Sequence, residues 1–371
     1  MKKILGLVVV MSWTLLLGCG KKEFTGVSED YRYTEMYRMS TFSPTGVFFR
    51  GSSEMVFFRP EDAKEAVLLC YDPNCIHEPA SQYNPDPTCR AALFPDVKTY
   101  IAYYEGYIYY FVNEDLFSHK IYKMEVDGAG RVPVAEIPYT AEIPGGMVFC
   151  EDKMYYIVAE RTSVGEMGEL ESKNYVLEYD LKSDKYRIVT SQITDGPLGD
   201  AMQVTKDYLY LNVTSSSENG AIYVKRYNLK TTEEEVFIST KEYQTHRPIR
   251  VYDDYYVYYD TSGKIGIRDL DTGKDTIIVE QDGEGWLNPV ASGNGLFYRI
   301  YESKEDGSTE LSEAYFYNIL TGEEWDITDK VTEFDIKGYD AYNKVFICGS
   351  FTDTCVVSEA KVLGVKGDVS E

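Results

Sequence analysis

The sequence predicts an all-β fold, a β-propeller of seven blades with four antiparallel strands each. Three observations lead there. The chain carries 34 Tyr and 16 Phe, gathered in short runs such as YIAYYEGYIYYF (Tyr100–Phe111), KMYYIV (Lys153–Val158), DYLYLNV (Asp207–Val213) and DDYYVYYD (Asp253–Asp260). Aromatic and β-branched residues favour pleated surfaces, and no stretch beyond the first residues keeps a helical period. The runs also recur. Each starts at a turn residue: Gly46-VFF, Gly106-YIYY, Lys153-MYY, Asp207-YLY, Asp254-YYVYY, Gly295-LFY and Asn343-KVF. The steps between them are about 60, 47, 54, 47, 41 and 48 residues, the spacing of propeller blades.

The chain opens with Lys2-Lys3 and about fourteen mostly apolar residues, Ile4–Leu17. That core is short for a membrane span and right for a signal peptide. It ends in Leu16-Leu17-Gly18-Cys19, which resembles the bacterial lipobox. The resemblance implies that residues 1–18 are removed and that Cys19 is lipidated, fixing the protein by its acyl chains to a membrane, on the extracytoplasmic face. Gly20–Asp30 (GKKEFTGVSED) reads as a polar tether, and residues 31–371 as one propeller domain.

Tyr31–Met39 (YRYTEMYRM) reads as a strand ahead of the first blade. The last unit, Lys337–Lys366, has room for three strands, so Tyr31–Met39 is expected to pair near Phe351–Val362 and close the ring, hiding two open edges. Six or eight blades follow if an anchor is miscounted. Within each unit a second signature marks a strand end and a tight hairpin: Tyr179-DLKSDK, Tyr227-NLKTTE, Arg268-DLDTGK, Tyr317-NILTGE and, more loosely, Tyr122-KMEVDG. Radial packing lets such sheets cover one another with their aromatic faces.

This repeat style resembles bacterial envelope β-propeller lipoproteins, broadly TolB-like or quinoprotein-like, over most of Gly46–Gly364. An insert at residues 70–95 resembles a segment of uncharacterised members of such groups. These motifs specify fold well and function poorly, because propellers host receptors, scaffolds and enzymes alike.

The insert holds CYDPNCIHEPASQYNPDPTC (Cys70–Cys89). Its prolines and few apolar residues cannot order it alone, so an ordered loop here needs a staple. Cys70, Cys75, His77 and Cys89 suit a tetrahedral Cys₃His set for a structural zinc, with Pro73 turning the chain between the first two ligands. The envelope location favours disulfides equally. Without Cys19 six cysteines remain: Cys348 and Cys355 flank a hairpin (CGSFTDTC) and can pair, leaving Cys150 for an insert cysteine. Metal, disulfide and free thiol all remain open at this stage.

Familiar catalytic patterns are absent: there is no HExxH, no GxSxG elbow and no P-loop. His119, in an expected inter-strand loop (DLFSHKIY), and His246, ahead of a blade (YQTHRPIR), read as surface or packing residues. Asp269, Asp271 and Asp275 lack the remaining ligands of a calcium loop and read as a hairpin turn, and Glu302–Glu313 reads as a solvated loop. The tyrosines keep step with the blades, so packing between blades explains them better than a sugar platform. A formal net charge of −24 disfavours nucleic acid and anionic lipid surfaces as partners. The expected function is a non-catalytic binding or scaffold module for an extracellular protein, peptide or glycan. The alternative is a propeller enzyme acting on an extracellular polymer or small molecule.

Overall fold

Seven antiparallel sheets follow one another along the chain, each a meander in sequence order. They take residues 40–68, 97–137, 140–188, 196–239, 246–280, 286–326 and 336–358, here blades 1 to 7. The computed structural model describes residues 40–364 apart from 52–54, 62, 82, 85–86, 94–96, 114, 143–146, 165–168, 195, 215–221, 240–245, 253, 261, 282–285 and 350–353. The expected signal segment, Cys19, the expected tether and Tyr31–Met39 therefore lie outside the described residues.

Every anchor run begins the second strand of its blade: Gly46–Arg50, Tyr107–Asn113, Lys153–Val164, Tyr208–Thr214, Tyr255–Asp260, Gly295–Ser303 and Val345–Cys348. First strands touch across four of the junctions, Ser40–Ser43 with Val97–Tyr104, Met147–Cys150 with Gly196–Val204, and Trp286–Ser292 with both His246–Val251 and Ile336–Asp340, which puts these strands nearest the axis. Fourth strands such as Lys185–Ile188 and Asp275–Glu280 are largely solvent-exposed.

The second strands are buried on both faces, which is why they read as unbroken aromatic runs rather than as alternation. In blade 2, Ile108, Tyr110 and Val112 face blade 1, while Tyr109 and Phe111 face blade 3. Blade 3 repeats this, with Met154, Tyr156 and Val158 on one side and Tyr155 and Ile157 on the other. The core is thus a set of clusters, one at each of the seven blade junctions. The cluster of Phe42, Val47, Val345, Ile347 and Val356 joins blade 7 to blade 1. Asn343 Nδ2 donates to Phe42 O (3.1 Å) across the same junction.

The hairpin signature has one structure in blades 3 to 6. Asp180, Asn228, Asp269 and Asn318 each accept, through Oδ1, the backbone N–H groups two and three residues on. The fifth residue, Asp184, Thr232, Gly273 or Gly322, has positive φ. The aliphatic residue after the Asp or Asn donates its N–H to the first hairpin of the same blade, as Leu270 does to Asp254 O (2.9 Å). Asp269 is therefore occupied by the turn and Asp275 pairs with Arg268, as the hairpin reading requires.

Three details depart from expectation. Glu302–Glu313 is not a loop: strands Gly295–Ser303 and Thr309–Asn318 carry the hairpin out to residues 304–308. Charged side chains at a solvated strand end hide a ladder that the backbone still makes. His119 begins a strand, His119–Glu125, instead of sitting in a loop. Two short helices, Thr328–Phe334 and Glu359–Leu363, stand before and after blade 7, too brief to leave a period in the sequence.

Candidate metal centre between the first two blades

The insert leaves blade 1 after its short last strand and enters blade 2 at Val97. Both ends are tied down. Leu69 N–H donates to Val56 O (3.0 Å), and Val56 N–H donates to Ala91 O (2.7 Å). Arg131 of blade 2 donates to Pro87 O (2.5 Å) and to Ala92 O. Gly128 has φ +80°, and a Cβ there would lie 2.7 Å from Arg90 O, so only glycine lets the blade 2 hairpin approach this closely. Leu69, Cys70, Cys89, Ala91, Ala92 and Leu93 complete the core cluster between blades 1 and 2.

This scaffold gathers Cys70, Cys75, His77 and Cys89, whose ligand atoms all lie within 4.8 Å of one another. Cys89 Sγ and His77 Nδ1 are 3.7 Å apart. Four ligands around tetrahedral zinc stand about 3.5–3.8 Å apart, given Zn–S near 2.3 Å and Zn–N near 2.0 Å. Cys70 and Cys89 are 8 % and 2 % exposed, Cys75 is half-buried and His77 is exposed. The centre is anchored in the core and capped by an outer arm. Pro73 occupies the expected turn: Asn74 N–H donates to Asp72 Oδ1 (2.9 Å) and Cys75 N–H to Asp72 O (3.1 Å).

Each sulfur also accepts the backbone N–H two residues on. Asp72 and Arg90 donate to Cys70, His77 to Cys75 (3.4 Å), and Ala91 to Cys89. Donors aimed at sulfur favour the thiolate, the form that binds metal. Burial opposes this and pushes the Cys89 thiol up to about 11; at Cys70 the donors and neighbouring thiols outweigh burial and hold the thiol below its ordinary value. His77 takes the left-handed φ of +53°, and its Nδ1 lies against Cys89 Sγ.

The other candidates fall elsewhere. Cys348 and Cys355 are register partners on adjacent strands of blade 7. Cys150 lies in the core between blades 3 and 4, two junctions from the insert. His119 is buried, its Nδ1 2.6 Å from Tyr139 O and its Nε2 3.0 Å from Tyr156 Oη. Burial lowers its pKa to about 4, so it packs as a neutral ring. His246 starts the first strand of blade 5. What sequence reasoning missed is the outer face of the insert. Tyr83, Ile76 and Tyr71 are 89 %, 77 % and 62 % exposed, the three most exposed large apolar side chains among the described residues. Ser81 and Asn84 exchange backbone hydrogen bonds and so present Tyr83 at a loop tip.

No family model matches the chain, and no curated protein does. Solved structures do match it. An oligogalacturonate lyase in complex with manganese superposes with TM-score 0.51 at 10 % identity, covering 90 % of this chain and 91 % of that one. The oligogalacturonate lyase of Vibrio parahaemolyticus gives 0.52 at 10 % identity, covering 90 % and 93 %. The likeness is one of fold. The manganese belongs to that lyase, and three thiols are a poor set for it: manganese favours carboxylate, carbonyl and water oxygens, whereas thiolates select softer ions such as zinc.

Proposed function

We propose that the protein is a membrane-anchored extracytoplasmic β-propeller that binds a protein, peptide or glycan, and that a structural zinc ion on Cys70, Cys75, His77 and Cys89 orders its recognition loop. One observation carries this reading. One twenty-residue stretch of the insert, Cys70–Cys89, holds both the four convergent donors and the three outward-facing apolar side chains Tyr71, Ile76 and Tyr83. Exposed aromatic tips of this kind serve recognition more than folding. Four protein ligands leave zinc no open position for a reacting water, so the ion would brace the loop and take no part in chemistry.

The partition of the cysteines supports zinc over a full set of disulfides. Three disulfides need Cys150 to reach the insert, and it lies two blade junctions away. Metal analysis of protein purified without chelator should find about one equivalent of zinc. His77→Ala should lose it, and the absence of metal from the wild type would overturn the assignment. For recognition, Ile76→Ser/Tyr83→Ser should abolish capture of an envelope partner while melting like the wild type. Anchoring is tested separately: Cys19→Ala should leave the chain unprocessed or released from the membrane, and unchanged fractionation and migration would refute the lipobox reading.

A second reading has the lyase fold in its favour: a propeller enzyme acting on an extracellular polymer. Turnover of oligogalacturonate by the purified protein, abolished by a single substitution outside the insert, would replace the binding reading.

A further inference from the structure

Blade 7 carries a cysteine pair that the proposed zinc centre does not use. Cys348 ends its second strand, Val345–Cys348, and Cys355 begins its third, Cys355–Ser358; the two are directly paired in register. Register partners on antiparallel strands have Cα atoms about 4.5–5.5 Å apart, inside the range of about 4.4–6.8 Å that a disulfide spans. The thiols are in hydrogen-bonding contact, Cys348 fully buried and Cys355 half-buried. We infer that Cys348 and Cys355 form a cross-strand disulfide that clamps the last strand of the ring.

The position of that strand gives the bond its purpose. Among the described residues blade 7 has three strands, and its third meets blade 1. Arg59 Nη1 donates to Thr354 O (3.4 Å), Ser358 N–H donates to Glu61 Oε1 (2.7 Å), and Val356 packs in the cluster with Phe42 and Val47. If the third strand peels away, these contacts between the first and last blades go with it. A covalent link to the second strand prevents that.

The chemistry is a thiol–disulfide exchange with a disulfide-bearing oxidant, such as oxidised glutathione or a dithiol oxidase. The thiolate of the more accessible Cys355 attacks one oxidant sulfur, and the other leaves as a thiolate. Cys348 passes its proton to that leaving thiolate and attacks Cys355 Sγ. This forms the intramolecular bond and releases the second oxidant sulfur as a thiolate, which takes up the proton that Cys355 had given to solvent. Two electrons and two protons pass to the oxidant.

Natural formation rests on the extracytoplasmic location proposed above, so the test has two arms. The full-length protein is recovered from the membrane fraction with thiols blocked at lysis, and a second sample is purified and equilibrated in a glutathione redox buffer. Non-reducing peptide mapping of both should show the Cys348–Cys355 cross-link, lighter than the dithiol by two hydrogens. Reduction at constant zinc should lower the melting temperature by about 3–5 °C. Free thiols at both positions in both samples would overturn the inference. A cross-link in the buffer alone would uphold the pair and count against the extracytoplasmic location.

Discussion

Thr232 shows how a repeated turn tolerates a poor residue. Blades 5 and 6 place Gly273 and Gly322 at the fifth position of the hairpin, where φ is +66° and +72°. Blade 4 places Thr232 there at +60°. A β-branched residue in the left-handed region is strained by about 1–2 kcal/mol, and the turn holds it because Thr232 N–H still donates to Asn228 O (2.7 Å). Thr232→Gly should therefore raise stability by about 0.5–1 kcal/mol, read as a higher denaturant midpoint at unchanged slope. A lower midpoint would show that the threonine side chain outweighs its backbone strain. Asp340 is a second exception. It is buried and accepts hydrogen bonds from Tyr342 N–H, Asn343 N–H and Asn343 Nδ2 (2.8 Å). Burial nonetheless pushes its pKa up to about 6. The folded state then holds this proton more tightly than the unfolded chain, whose carboxyl titrates near 3.9. The contribution of Asp340 to stability is greatest below pH 4 and falls as pH rises to 6, by about 2–3 kcal/mol. Asp340→Asn should gain on the wild type between pH 4.5 and pH 7. Parallel melting curves across that range would rule out a titrating Asp340.

At the scale of elements, the insert is a loop that borrows its stability. Its backbone is tied at both ends to blades 1 and 2, but between Cys70 and Cys89 it contributes little apolar surface to the core. Zinc would supply the missing free energy at the point where Cys70 and Cys89 enter the core. Cys75→Ser removes a ligand from the outer arm and leaves the two buried sulfurs in place. Amide hydrogen exchange should then rise roughly tenfold or more in residues 55–60 and 87–93, with blades 4 to 6 unchanged. Uniform loss of protection around the ring would mean that the centre supports global rather than local stability. The blade strands behave differently, because inner strands such as Met147–Cys150, the first of blade 3, pack their side chains into the junctions with both neighbouring blades. Phe149 packs on Tyr104 with ring centroids 4.4 Å apart and belongs to the cluster between blades 2 and 3. Phe149→Ala should cost about 3–5 kcal/mol.

The whole molecule has to close. Six junctions join blades that are neighbours in the chain, and the seventh joins its two ends through Phe42, Val47 and Asn343 on one side and the Arg59 and Glu61 contacts on the other. Blade 7 has three described strands where most blades have four. Pairing of Tyr31–Met39 with it, a proposal from the sequence, would complete the sheet and remove an open edge. Deleting residues 20–39 should then lower the melting temperature and broaden the transition, whereas deleting 20–28 should do neither. Equal melting of the two shortened chains would mean that side-chain packing between blades 1 and 7 closes the ring without that strand.

Much of the architecture was legible because a propeller repeats. Seven aromatic anchors mark seven second strands, and YDLKSDK, YNLKTTE, RDLDTGK and YNILTGE mark four copies of one turn whose Asp or Asn cap is a local hydrogen-bond pattern. Local patterns survive in sequence because they join residues two to five apart. The four donors of the insert were legible for the same reason, lying within twenty residues of one another. The place of Cys150 was not. The sequence grouped the insert cysteines and paired Cys348 with Cys355 across a hairpin, but left Cys150 to an insert cysteine; the three-dimensional ring puts it between blades 3 and 4, two junctions away. Nor could composition tell a tyrosine that fills a blade junction, such as Tyr156, from one that projects into solvent, such as Tyr83. Burial depends on which blade comes to lie against which, and that is set by closing a chain of more than 300 residues into a circle.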